Sequence, residues 1–390
     1  MQCGHAAAAA SGAPPRWRSS AGFPAAVCPT GETVLPASER NRPMAGTSRR
    51  KLLGKRRKAV FHCTSRCVRR AFLCGLDPLT GKDFSHRRDW ITCREEQLAG
   101  LFAIEIQFRA EMSNHLHAVL RTRPRLAYRI SGHDVARRWL TITKSAKCMS
   151  NGLPKVSDQE VNALARDKKR IAKLRKRLSN ISWFMGILLE NVARRANKED
   201  EASGRFWETR FKSREITDPS GLLVCGVYVD LNPIKAGEAE SPRTAHHTSF
   251  YDRAKAARQP KNSPRRADGW MAEFTVPPER KADEKWAEKS RTGRRASDLG
   301  VLELSLNDYE KLLNWTIQQF RSGERSTIPR DLAKVLELFD VQEEEWIDTI
   351  LDYNELFCHA VGASGSLAEV AERLGVGYLR GGPACRNIFG

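Results

Sequence analysis

Residues 112–121 read MSNHLHAVLR, and the reading of this stretch decides the fold. Within it HLHAVLR (115–121) is short and largely apolar, the pattern of a strand. Side chains alternate across a strand, so His115 and His117 point to the same face. Two imidazoles on one face can share a divalent ion, and two packed histidines would give the same spacing.

Working outward, AVFHCTSR (59–66) reads as a first strand, and GLDPLTGKDF (75–84) is dense in turn formers. A helix is expected over 86–100 with Ser85 as its cap, followed by a strand in LFAIEIQFRAEM (101–112). Beyond the histidines, SGHDVARRWLTI (131–142) reads as a helix. DQEVNALARDKKRIAKLRKRL (158–178) reads as one amphipathic helix carrying eight basic residues. Its cationic face suits phosphate contact by Lys169, Arg170 and Lys173, and suits a solvated surface equally. A further helix covers 180–197, and GRFWETRFKSREI (204–216) is extended. DPSGLLVCGVYVDLNP (218–233) is a helix with Asp218 as cap, Pro219 first and Pro233 as its stop. The expected organisation is a low-complexity basic leader over 1–54, a catalytic domain over 55–250 with a basic helical insertion near 150–180, a linker over 251–300, and an acidic helical domain over 301–390. Met44 is an alternative start ahead of the folded signal.

The 390 residues hold 66 Lys plus Arg against 46 Asp plus Glu, a net charge of +20. That surplus points to a polyanionic partner such as nucleic acid. Residues 301–360 run the other way, with 13 acids and 5 bases, so the basic character belongs to the front two thirds. No apolar run reaches the ~18 residues that a membrane helix needs. Ten cysteines are dispersed with no CxxC pair, as expected of reduced thiols in the cytoplasm. Cys63 and Cys67 alone do not make a zinc site.

Tyr228 and Asn232 stand four apart, one turn of helix. A phenol with an amide beside it suits a nucleophile next to a third metal ligand; a packed tyrosine and a terminal asparagine suit the same pattern. The blocks MSNHLHAVLR (112–121), GRFWETRFKS (204–213) and VYVDLNPIKAG (227–237), in this order, resemble the single-tyrosine HUH transposases, and most closely the REP-associated tyrosine transposases, bacterial relatives of insertion-sequence single-strand transposases. The resemblance spans about residues 55–250. The 111-residue gap from His117 to Tyr228 and the added C-terminal region depart from the compact family pattern.

The resemblance implies an α+β, ferredoxin-like (RRM-like) antiparallel sheet with flanking helices, followed here by a mostly helical C-terminal region. It implies that His115, His117 and Asn232 hold a divalent metal, Mg2+ or Mn2+, with Zn2+ also compatible, and that Tyr228 is the nucleophile. The activity implied is cleavage and joining of single-stranded or hairpin DNA through a 5′-phosphotyrosine, in a bacterial, cytoplasmic, nucleoid-associated protein; monomer and homodimer both stay open. Arg66, Arg205, Arg210, Lys212 and Arg214 are candidate phosphate contacts and Trp207 a candidate stacking platform, although Phe206 and Trp207 also fit a core. His62 shares the strand face of Arg66 and is a candidate support for the metal ligands. A DNA-hairpin-binding protein without catalysis and a water-using metallonuclease are the competing readings.

Overall fold

Four antiparallel strands form the frame: β1 (Val60–Arg66), β2 (Ile104–Glu111), β3 (His115–Thr122) and β4 (Lys212–Ile216). The computed structural model describes residues 58–68, 72–77, 80–145, 153–260, 263, 266–275, 290, 292–323, 326–379 and 381–389. The leader 1–54, with Met44 and most of the basic run 49–58, lies outside the described residues. The strand order is β2-β3-β1-β4, and a helix, His86–Leu101, joins β1 to β2 around the strand between them, a split βαβ arrangement. A fifth strand, β5 (Ala360–Val361), pairs in parallel with β4, making a mixed α+β fold.

Register decides which residues meet. On β1, His62, Thr64 and Arg66 lie opposite Val119, His117 and His115 of β3. On the other side of β1, His62 and Thr64 lie opposite Arg214 and Lys212 of β4. Directly opposed residues share a face, so one face carries histidines and cations together. The reverse face, with Phe61, Cys63, Leu116, Ala118 and Leu120, is apolar and buried.

The helix Pro219–Lys235 lies across the histidine face. Asp218 caps it, accepting from the Gly221 N–H at 2.8 Å. It does not stop at Pro233 but runs two residues further. A proline this near the end costs only one ladder bond, and the Ala236 N–H still returns to the Asn232 carbonyl at 3.0 Å. Asn232 therefore keeps helical spacing from Tyr228. Asp230, on the same helix, is fully buried and accepts from Ser249 Oγ (2.6 Å), the Phe250 N–H (3.0 Å) and the Tyr309 hydroxyl (2.9 Å).

Four other expectations differ in the structure. The basic segment 158–178 is two helices, Asp158–Arg166 and Lys168–Arg177, because Asp167 accepts from the Arg170 N–H at 2.8 Å and starts a new helix. Ser85 makes no capping bond; its own N–H donates to Asp83 at 2.8 Å. The stretch 251–300 is not simply a linker. Ser249–Ala257 is a helix, Trp270, Met271 and Phe274 are buried, and the Ala272 N–H donates to the Ile106 carbonyl at 2.9 Å. The outer edge of β2 has unpaired backbone groups to satisfy, and this chain satisfies some of them. The region 301–390 is likewise no separate domain: β5 extends the sheet, and Tyr309 of the helix Leu306–Ser322 bonds the buried Asp230. Among the described residues no helix is long and apolar enough to cross a membrane.

Buried charge also anchors the sheet. Arg109 of β2 is fully buried and donates to Glu95 (2.7 Å), Asp252 (2.9 Å), Thr92 (2.7 Å) and Glu111. Burial pushes the Glu111 carboxyl up to about 8.

Gly226 sets the distance between helix and sheet. A Cβ there would stand 2.5 Å from Cζ of Phe108, a fully buried ring packed against Phe274 and Tyr309. Gly226→Ala is expected to cost about 1–3 kcal/mol by overpacking, read as a lower denaturation midpoint; an unchanged midpoint would show that the contact is slack.

Candidate active site

The alternating strand places His115 and His117 on one face with ring centroids 4.8 Å apart. Each has its Nδ1 engaged. His115 Nδ1 lies 2.6 Å from Asn114 Oδ1, and His117 Nδ1 lies 2.9 Å from His62 Nε2. A protonated Nδ1 on each ring leaves both Nε2 atoms with lone pairs. Asn232 Nδ2 is 3.4 Å from His117 Nε2. Tyr228, one turn earlier, sets its ring edge-on to His117 at 5.6 Å and to His62 at 6.0 Å. The helix and the sheet thus bring Tyr228, Asn232, His115, His117 and His62 together.

Electrostatics favour neutral imidazoles. Burial, and then the Arg66 guanidinium, hold His115 down to about 4. Burial holds His117 and His62 well below the usual imidazole range, with Arg214 among the charges acting the same way. A metal ligand must be unprotonated, so these rings are ready at neutral pH. Among the described residues no three His, Cys, Asp or Glu side chains converge on a metal position. A third ligand would have to be an amide, and Asn232 is the amide in place. The donor set fits a divalent ion that accepts two imidazoles, an amide oxygen and oxygens of water or phosphate.

Tyr228 is only 4% exposed. Its hydroxyl accepts from Asn354 Nδ2 at 2.6 Å, and its ring stacks on Tyr353 at 4.2 Å. Burial raises its phenol above the ordinary value, while donors on Asn232 and Asn354 pull the other way.

Beside the histidines opens a cavity of about 550 Å³, lined among others by Arg66, Arg210, Lys212, Arg214 and Asn354. Hollows of about 580 and 670 Å³ among the C-terminal helices share none of these residues. The other candidates lie outside it. Lys169, Arg170 and Lys173 are exposed on the helix Lys168–Arg177, and Arg205 is exposed in the approach to β4. Trp207 is half-buried, its indole N–H donating to the Leu189 carbonyl at 2.9 Å and its ring against Phe206 at 5.0 Å. Phe206 and Phe211 are buried. The Trp207 ring is thus committed to packing rather than to the cavity. Cys63 and Cys67 are buried and free of disulfides, and the Cys67 thiol donates to the Asn114 carbonyl at 3.1 Å.

Sequence reasoning missed Asn114, Tyr353 and Asn354. Asn114 adjoins the histidine pair and was open to notice as a side-chain acceptor. Tyr353 and Asn354 carry no local signal.

No family model matches the chain, and no curated protein matches it. Among solved structures, a REP-associated tyrosine transposase bound to a REP hairpin is similar at 13% identity, with a TM-score of 0.25, over 51% of this chain and 80% of that one. The likeness is distant, and the chemistry has to be argued from the side chains.

The lowered histidines make acid stability a check on this geometry. Imidazoles held below 6.5 bind fewer protons folded than unfolded, so their contribution is present above about 6.5 and is lost as pH falls toward the folded value, about 4 for His115. The melting temperature of metal-free protein is expected to drop between pH 6.5 and pH 4. A His115→Gln protein is expected to show a shallower drop; an equal slope would place the titration elsewhere.

Proposed function

We propose that this chain is a DNA transposase-type enzyme that cleaves and rejoins single-stranded DNA through a 5′-phosphotyrosine on Tyr228. One observation carries the reading: a phenol and an amide on one helix meet two neutral imidazoles from a distant strand, and those imidazoles line a basic cavity. The strand order β2-β3-β1-β4 is the ferredoxin-like arrangement that the sequence resemblance implies.

His115, His117 and Asn232 would hold the ion, Mg2+ or Mn2+. When bound, it supplies positive charge for the scissile phosphate and the leaving oxygen. The protein's own groups do the rest. Arg66, Arg210, Lys212 and Arg214 draw the strand into the cavity and hold its phosphates. The Tyr228 oxygen attacks phosphorus and loses its proton as the P–O bond forms. The 3′ oxygen departs and takes up a proton. The new ester conserves the phosphodiester, so a second 3′-hydroxyl can reverse the step without ATP. A free phenol near pKa 10 is a poor nucleophile at neutral pH, and donors from Asn232 and Asn354 counter part of that handicap.

A second reading has one observation in its favour. Tyr228 is buried and its hydroxyl is already bonded to Asn354, as suits a DNA-hairpin binder without catalysis. A cleavage assay with Mn2+ separates the two.

With end-labelled single-stranded hairpin DNA and Mn2+, the protein is expected to form a covalent adduct that survives denaturation. Tyr228→Phe is expected to abolish it, and His115→Ala to cut it at least a hundredfold; an adduct persisting in Tyr228→Phe moves the nucleophile elsewhere. A free 5′-phosphate product would instead assign hydrolysis by water.

Four cavity cations set the expected salt dependence. At about −0.7 per neutralised phosphate on a single strand, log affinity is expected to fall with log salt at a slope near −3. Lys212→Ala is expected to reduce that slope by about 0.7, measured by fluorescence anisotropy; an unchanged slope removes Lys212 from the contact.

A further inference from the structure

His62, which bonds His117, and Tyr228 are both held by one dipeptide from the C-terminal region. Tyr353 is fully buried, stacks on the Tyr228 ring at 4.2 Å with 16° between planes, and sets its hydroxyl 3.4 Å from His62 Nδ1. Asn354, 126 positions after Tyr228, donates to the Tyr228 hydroxyl at 2.6 Å. Arg214 holds Asn354 from the other side, donating to its Oδ1 at 2.7 Å and to its backbone carbonyl at 3.3 Å.

We propose that Tyr353 and Asn354 are positioning residues of this site: Tyr353 orients the His117 imidazole through His62, and Asn354, itself a cavity-lining residue, fixes the direction of the Tyr228 hydroxyl. The inference rests on the reading of His115, His117 and Asn232 as ligands and Tyr228 as nucleophile.

The chain of hydrogen bonds has one consistent direction. An ion on His117 Nε2 requires the ring proton on Nδ1. That proton points at His62 Nε2, 2.9 Å away. His62 must then carry its own proton on Nδ1, where the Tyr353 oxygen receives it. Because His62 is fully buried, no solvent replaces a lost partner. Groups that bond the far nitrogen of a ligand histidine fix its orientation, and their loss typically weakens metal binding 10–100-fold. Asn354 acts on the other half. It is pinned by Arg214 and lines the cavity beside Arg66 and the histidines without filling it. It therefore ties the tyrosine oxygen to a residue that lines a space of about 550 Å³.

The test uses the full chain, because β5 completes the sheet and truncation would strip a strand from β4. Mn2+ binding is read directly by electron paramagnetic resonance of the free ion, without DNA. Adduct formation is read in single turnovers on a hairpin oligonucleotide at saturating Mn2+. Tyr353→Phe keeps the stacking ring and is expected to weaken Mn2+ binding about tenfold, with the adduct rate recovering at high Mn2+. Asn354→Ala is expected to leave Mn2+ affinity unchanged and to lower the single-turnover rate about tenfold with the half-saturating DNA concentration unchanged, as for a residue that aligns the nucleophile and does not bind DNA; Asn354→Gln, which keeps a donor, restores part of the rate. Unaltered Mn2+ affinity in Tyr353→Phe, or an equal or faster adduct rate in Asn354→Ala, overturns the proposal; the faster rate would mean that Asn354 shields the tyrosine. Should Tyr353→Phe melt below assay temperature, His62→Gln breaks the same chain and answers the same question. His117→Ala is the separate control: if it binds Mn2+ like the parent protein, the ligand assignment itself fails.

Discussion

At Gly226 the helix Pro219–Lys235 has no side chain to hold it off the sheet, and Phe108 fills the space that a Cβ would take. The close approach lets the next polar position on the helix, Tyr228, reach the imidazoles of β1 and β3 edge-on. A helix standing farther away would leave a water layer between the phenol and the histidines. Asp230 fastens the same helix from behind, with all its bonds to protein donors. The distance between the phenol and the imidazoles is therefore a packing distance, set by a glycine and an aromatic ring.

The face below that helix carries a conflict that burial resolves. Arg66, Lys212 and Arg214 share it with the histidines and line the cavity beside them. Burial pushes protons off these imidazoles, and the nearby Arg66 and Arg214 push in the same direction. Groups suited to attract phosphate thus also keep the rings unprotonated, as a metal requires. Aspartates on the same face would have bound an ion more tightly but repelled the strand. Two imidazoles and an amide avoid adding negative charge.

The strands were legible because β1 and β3 each follow a simple period, and from that period His115, His117, His62 and Arg66 fall on one side. The tyrosine helix was legible from its cap and its apolar run. Pro233 misled because a proline usually ends a helix, yet here it removes only one bond near the end. The stretch 251–300 misled because its average composition is charged, while Trp270, Met271 and Phe274 form a short apolar cluster. Tyr353 and Asn354 were invisible for a different reason. Nothing in the surrounding sequence marks them, and their place follows from a two-residue strand pairing with β4. Such long-range pairing has no local periodicity to betray it.

Residues 301–360 carry a surplus of acids, 13 against 5 bases. The contacts at the cavity are of another kind. What meets Arg214 from that region is the amide and carbonyl of Asn354, not a carboxylate. A carboxylate there would neutralise the guanidinium and remove it from phosphate binding; a neutral amide orients it and leaves its full charge. Lys235 is treated alike, donating to the Ile350 and Leu351 carbonyls at 3.0 and 2.9 Å while its ammonium stands 5.5 Å over the Tyr228 ring. The region bonds these two cations through neutral dipoles, while its Asp352 acts on Lys235 through charge and its Glu355 lines the cavity. Direct hydrogen bonds to an amide and to carbonyls thus orient both side chains without cancelling their charge.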